Sequence, residues 1–346
     1  MRTLWTLWVV VVLLCALPAA AQPTRHKVKV ERLGWQLSPM LTTYVSVVDA
    51  NGKPVSGRSK KDFGLVVDAT EPAMRADDVA AFSSTDETVD VVVVVEVALS
   101  MRATLETVHR GLALLDEGMA AKRRPRLGLV TFADEVDRVA NLGPPPAVAA
   151  ARLTAKDTFG ELHLLDAVHA AIDMLAATPR GHRKLIVVLS DGKDVSQERK
   201  AFTSVGKRAA EQDVVIDTIG FAVEPDAGKL LGELSNQSNG TSRTCASTAE
   251  LAVQFQHVVA EIAEQYVARF LVPLQGDLRD HTFQVVVDVG GEAVNSNIQV
   301  NLIPKSCCGG ATPRRPWWIW ISVAGSALAV CALVLVWLLQ RRKDVV

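Results

Sequence analysis

Two short runs of this sequence place acids and hydroxyls where chemistry could be done. One is Glu96-Val97-Ala98-Leu99-Ser100-Met101, at the end of a valine-rich stretch. The other is Leu189-Ser190-Asp191-Gly192-Lys193-Asp194, at the end of a second apolar stretch. If both stretches are strands of one open parallel sheet, their carboxyl ends meet at the rim where such sheets bind ligands. Glu96 and Asp191 then become neighbours. Two carboxylates that close repel, so one takes up a proton or pairs with a cation such as Lys193. The plain alternative is that Glu96, Ser100 and Asp191 cap loops and hydrogen-bond one another.

Catalytic signatures are missing from the sequence. It has no Gly-x-Ser-x-Gly elbow, no Gly-x-x-x-x-Gly-Lys-Ser/Thr phosphate loop and no His-Glu-x-x-His pair. His163 and His169 lie six residues apart, a spacing that does not share one helix face. Ser190-Asp191 with His163 suggests a hydrolytic pair, but no third group orients it. The expectation is a protein that is not an enzyme.

Strong alternation of element types is needed to position that rim. Val89–Val97 contains five consecutive valines, as in a strand buried on both faces under helices. Further strands are expected at 126–132, 184–189 and 214–219. Helices are expected at 101–121, 147–155, 163–177, 197–211, 230–236 and 248–267. The fold class this predicts is α/β, a doubly wound, mostly parallel sheet. β material flanks it on both sides, at 27–85 and 268–304, with Asn51-Gly52 and Gly290-Gly291 as turn signals. The flanks either pack together as one small β-domain or form two separate appendages.

The two ends speak of a membrane. Met1-Arg2, the uncharged run Trp5–Leu17 and Pro18-Ala19-Ala20-Ala21 read as a signal peptide cut near Ala21, the alternative being an uncleaved anchor. Trp317–Leu339 carries no charge over 23 residues, enough to cross a ~30 Å hydrocarbon core, with tryptophans near both ends. Arg341, Arg342 and Lys343 read as its cytoplasmic flank. The net charge of −1 and the scattered basic residues give no reason to expect nucleic acid. Of five cysteines, Cys15 falls in the signal run and Cys331 in the uncharged span, and the three left make no disulfide framework. Cys245 could pair with Cys307 or Cys308, these two could pair with a second chain, or all three stay free.

Several pieces recur together in order: the valine strand with its acid-x-x-x-Ser-Met end, Leu127-Gly128-Leu129-Val130-Thr131-Phe132-Ala133, Leu165-Asp166-Ala167, the Ser190-Asp191-Gly192 strand end, and Ile216-Asp217-Thr218-Ile219-Gly220-Phe221. As a set they resemble the von Willebrand factor A (vWA) family over roughly residues 88–266. Asp49-Ala50-Asn51-Gly52-Lys53-Pro54-Val55 and Lys61-Asp62-Phe63 look like the β-segment before vWA domains in bacterial surface proteins. The resemblance implies a metal-ion-dependent adhesion site built from Asp-x-Ser-x-Ser, a Thr and an Asp, holding Mg²⁺. Glu96, Ser100 and Asp191 fall on three of those positions, but only Ser100 and Asp191 match in type. Glu96 replaces Asp, Ala98 replaces Ser, and Leu162 falls where the Thr belongs, with Thr158 nearby. The expectation is a degenerate site with no cofactor, Mg²⁺ being the exception to test.

The domain order expected is a signal peptide at 1–21, an N-terminal β segment at 22–86, a vWA-like domain at 87–267 and a C-terminal β segment at 268–305. A linker at 306–316, a transmembrane helix at 317–339 and a cytoplasmic tail at 340–346 complete it. The implied function is binding a protein partner outside the cytoplasm. The alternatives are a scaffold subunit of a membrane complex and, from another class, a hydrolase.

Overall fold

The computed structural model describes residues 26–37, 40–50, 52–119, 126–144, 148, 150–158, 161–178, 182–273, 281–296 and 299–300. The N-terminal segment forms β1 (His26–Leu37), β2 (Met40–Asp49), β3 (Phe63–Val67), β4 (Thr70–Arg75) and β5 (Asp78–Ala81). Alternating elements follow. They are β6 (Val89–Glu96), α1 (Leu105–Met119), β7 (Arg126–Phe132), β8 (Val136–Gly143), α2 (Leu164–Ala176), β9 (Arg183–Ser190), α3 (Arg199–Glu211), β10 (Val214–Phe221), α4 (Pro225–Gln237), β11 (Ser242–Cys245) and α5 (Thr248–Glu264). Strands β12 (Tyr266–Leu271), β13 (Thr282–Val289), β14 (Glu292–Asn295) and β15 (Gln299–Val300) end the described chain.

The alternating block builds a six-stranded sheet in the order β11-β10-β9-β6-β7-β8. All its pairings are parallel except β7 with β8. The valine run sits at its centre because both faces of β6 are covered. Val91, Val93 and Val95 join one core with Val108, Leu112 and Leu115 of α1 and Phe255 and Val258 of α5. Val92 and Val94 face the other core, with Val168 and Ile172 of α2, Phe202 of α3 and Leu234 of α4. Successive strand side chains point to opposite faces, so one continuous apolar run serves two helical layers. Helices α1 and α5 approach closely at Gly111, where an added Cβ would lie 2.5 Å from the Phe255 ring.

The helix expected at 230–236 begins earlier, at Pro225, and three further elements differ from the sequence reading. The helix expected from Met101 begins as a 3-10 turn over Leu99–Thr104 and becomes α-helical only at Leu105. Within the expected helix 147–155, residues 150–155 are not helical; just beyond, Lys156 bridges Ala98 and its N–H donates to Val97 O at 2.8 Å. The last helix stops at Glu264, three residues short of Val267, because Tyr266 opens β12. Strand pairing with a segment far back in the chain overrides the local helical pattern there. Edge strands β8 and β11 had no sequence signal strong enough to register.

Strand β12 lies between β2 and β5, and β13 pairs with β3, so residues before and after the alternating block share two antiparallel sheets. One sheet runs β1-β2-β12-β5 and the other β14-β13-β3-β4, with β15 on β13. Val45, Leu65, Phe270, Val285 and Val287 fill the core between them. Strand β2 also faces the α/β block. Tyr44 belongs to the core under α1 and α5 while Val45 belongs to the sandwich. At the chain crossing, Phe82 N–H donates to Gln265 O at 2.6 Å, and Gln265 Nε2 donates to Ser46 Oγ at 3.1 Å.

The segments 1–21 and 317–339, expected to be a signal peptide and a transmembrane helix, lie outside the described residues, as do Cys307 and Cys308. No helix among the described residues is long and apolar enough to cross a membrane. Cys245, at the end of β11, is buried and free, with its thiol 3.6 Å from Gly220 O. Burial, with the charge of Glu250 behind it, pushes that thiol up to about 11.

Candidate functional site

The parallel register sets the rim. Val95 on β6 lies beside Leu189 on β9, so Glu96 and Ser190 end neighbouring strands at the same edge. The Glu96 side chain is buried and folds back between the two loops. Its Oε2 accepts from Ser190 Oγ at 2.8 Å and from the Asp191 N–H at 2.9 Å. Its Oε1 accepts from Ser100 Oγ at 3.2 Å. One carboxylate thus gathers donors from the loop after β6 and from the turn after β9.

That turn is itself tightly specified. Gly192 N–H donates to Ser190 Oγ at 2.9 Å. Gly192 has φ +85°, and a Cβ there would stand 2.9 Å from the Ala227 Cβ, so glycine serves both the left-handed backbone and the close approach of α4. Asp191 accepts from the Lys193 N–H at 3.1 Å and from Lys193 Nζ at 2.9 Å. Three residues on, Asp194 accepts from Leu165 N–H, in the first turn of α2, at 2.9 Å and from Ser196 N–H at 2.8 Å.

The electrostatics follow from burial. Loss of solvent, then the nearby charge of Asp191, raises the Glu96 carboxyl to about 7 against the pull of its three hydrogen bonds. Lys193 is held above its ordinary value by its contact with Asp191. Burial pushes Asp194 up, ahead of the two backbone N–H bonds that lower it.

Glu96, Ser100 and Asp191, picked from the sequence, are brought into one network. Ala98 is buried and offers no donor atom there. Leu162 contributes only its carbonyl, which accepts from Val195 N–H at 2.7 Å. Ser190 and Asp194 are the residues the sequence reading undervalued. Ser190 is the polar end of an otherwise mostly apolar strand, and Asp194 is a second acid in the loop that follows, which are the signals that mark them. His163 and His169 do not converge, since His163 pairs with Asp166 at 2.9 Å and His169 with Arg208 at 2.6 Å.

Mg²⁺ is a hard ion that wants about six oxygens at ~2.1 Å in an octahedral array. Three of the roughly four acceptor directions of Glu96 are already taken by protein donors. Asp191 faces an ammonium, and Ala98 and the Leu162 side chain add no oxygen. The donor set is a poor match for this ion. Among the described residues no group of three or more His, Cys, Asp and Glu side chains is placed to hold a metal ion.

The sequence model of the von Willebrand factor type A domain matches residues 90–260, the stretch that carries this sheet and its rim. Residues 90–260 are a vWA domain. Solved structures with a similar arrangement share little sequence with it. BatB from Bacteroides thetaiotaomicron is 16% identical, covering 50% of this chain and 98% of that one, with a TM-score of 0.39. A von Willebrand factor type A protein from Catenulispora acidiphila is 11% identical over 82% of this chain and 74% of its own, at 0.44. The pilus adhesin SpaC from Lactobacillus rhamnosus GG is 12% identical over 82% of this chain and 48% of its own, at 0.43. No curated protein matches the sequence. Within residues 90–260 the rim is formed by the ends of β6 and β9 and the loops that Glu96 joins.

Proposed function

We propose that this chain is a membrane-tethered, extracytoplasmic binding module whose vWA rim holds a protein partner without a metal ion. The carrying observation is the network around Glu96, in which donors from two loops satisfy the carboxylate at the place where a metal-using site would present open oxygens. Leu99 and Val195, on the same two loops, are 45% and 47% exposed and give that partner apolar contact beside the polar network. The tether is read from the uncharged 317–339 segment, and the outside location from the signal-like 1–21 segment. Weighing against a hydrolase, the Ser190 hydroxyl donates to Glu96 and His163 pairs with Asp166, so neither serves the other as nucleophile and base.

Crosslinking and pull-down of the full chain from its native membrane, with and without chelator, tests the reading. Capture should persist in chelator and fall at least about tenfold for Leu99→Asp with Val195→Asp, which place charge in the contact. A partner lost in chelator, or one indifferent to both loop substitutions, refutes rim binding of this kind. Cysteine accessibility on either side of the membrane, with probes introduced in 22–86 and at 344–346, tests the orientation.

A further inference from the structure

We propose that the Glu96 carboxyl is the permanent occupant of the rim, a built-in lock that joins the loop after β6 to the turn after β9 and closes the rim to a cation. This deepens the metal-free reading above and rests on it. The geometry carries the claim. An aspartate at this position would end one methylene earlier. Glu96 reaches further, and its two oxygens collect Ser100 Oγ, Ser190 Oγ and the Asp191 N–H at 3.2, 2.8 and 2.9 Å. Two of those residues, Ser100 and Asp191, are the ones the vWA pattern would offer to an ion. Here the Ser100 hydroxyl is aimed at Glu96, the Asp191 N–H holds the other Glu96 oxygen, and of these two residues it is the Asp191 carboxylate whose ligand oxygens are engaged, by Lys193.

A cation would have to displace a buried, hydrogen-bonded group to enter. Removing such a group leaves buried donors unpaired, which costs more than the hydrogen bonds themselves return. The lock also has a regulatory meaning. A site closed by its own side chain keeps one loop arrangement whatever the divalent-ion concentration, so this rim presents its binding face constitutively.

Mn²⁺ binding to the purified full chain, followed by electron paramagnetic resonance of the free ion and by the thermal midpoint, tests the lock apart from any partner. The native chain should bind no Mn²⁺ in the millimolar range, with its midpoint unmoved by Mg²⁺, Mn²⁺ or chelator. Ala98→Ser alone restores an oxygen but leaves the lock, and should stay blind to the ion. Ala98→Ser with Glu96→Asp withdraws the carboxylate and should bind Mn²⁺ at least about tenfold more tightly than Ala98→Ser, raising the midpoint by about 3 °C. Adding Leu162→Thr to that pair provides a second opened variant should the first fold poorly. Mn²⁺ binding by the native chain overturns the proposal. So does an Ala98→Ser chain that binds as well as the doubly substituted one, or folded opened variants that bind no better. Rim binding of a partner could survive each of those results, so the two readings fail separately.

Discussion

Glu96 is buried, and its carboxyl is raised to about 7 from an ordinary 4.5, chiefly by burial. The folded chain therefore holds this proton more tightly than the unfolded chain does. Its contribution to stability is fully present below about pH 4.5, declines as the pH rises, and is lost above about pH 7. Glu96→Gln keeps the shape, accepts from Ser190 and Asp191, and never ionises. Denaturation of the two proteins between about pH 5 and pH 8 should show a shallower decline for the variant, which becomes the more stable near pH 8 by up to about 3 kcal/mol. Parallel curves would remove Glu96 as the titrating group. Some slope should remain, because Asp194 is also pushed up by burial and runs in the same direction. Asp194 has a second task at the start of α2, where it accepts from Leu165 N–H. Asp194→Ala leaves that N–H and the Ser196 N–H without their acceptor and should cost about 1–2 kcal/mol, read as a fall of a few degrees in the thermal midpoint.

Helices α1 and α5 meet through Gly111, and alanine there pits two effects against each other. Alanine favours an α-helix over glycine by about 1 kcal/mol. Its Cβ would sit 2.5 Å from the Phe255 ring, which is itself fully buried and has no room to retreat. Overpacking of that kind costs about 1–3 kcal/mol, so Gly111→Ala should destabilise on balance. An increase in midpoint would mean that α5 slides freely on α1. The same scale shows what the sequence could and could not tell. Strand β6 was legible because a short run of β-branched valines favours a strand, and its unbroken apolar character one covered on both faces. The end of α5 was not, because Thr248 to Val267 keeps a helical pattern and only the pairing of Tyr266–Leu271 with β2, some 220 residues earlier, draws the last residues into a strand. Glu96, Ser100 and Asp191 were legible as neighbours once both runs were read as strands of one parallel sheet. How the two Glu96 oxygens divide, Oε1 to Ser100 and Oε2 to Ser190 and the Asp191 N–H, was not, since it depends on side-chain direction.

At the scale of the whole described chain, the vWA domain and the β-sandwich are coupled through strands with two buried faces. On β2, Tyr44 turns to the core under α1 and α5 and Val45 to the sandwich; on β12, Val267 and Ala268 divide in the same way. The Tyr44 ring stands edge-on to Phe82, 6.3 Å between centroids, and its hydroxyl donates to Glu87. The Arg183 guanidinium lies 5.4 Å from the centre of the Phe82 ring, tying the start of β9 to the same seam. Arg269 on β12 reaches Glu87 from the sandwich side at 3.0 Å. If the rim binds a partner as proposed, it gains from a base that does not swivel. Coupling of this kind predicts a single cooperative thermal transition for the native chain. Tyr44→Ala empties the seam, at about 3–5 kcal/mol by analogy with other large aromatic truncations, and removes the bond to Glu87. Val45→Ala strikes the sandwich core alone. Calorimetry should therefore show Tyr44→Ala splitting the transition in two, with the vWA half falling furthest because the cavity opens in its core, while Val45→Ala lowers one shared transition. Two transitions already present in the native chain would mean that the seam does not couple the units, and the rim would then have to be rigid by its own network alone.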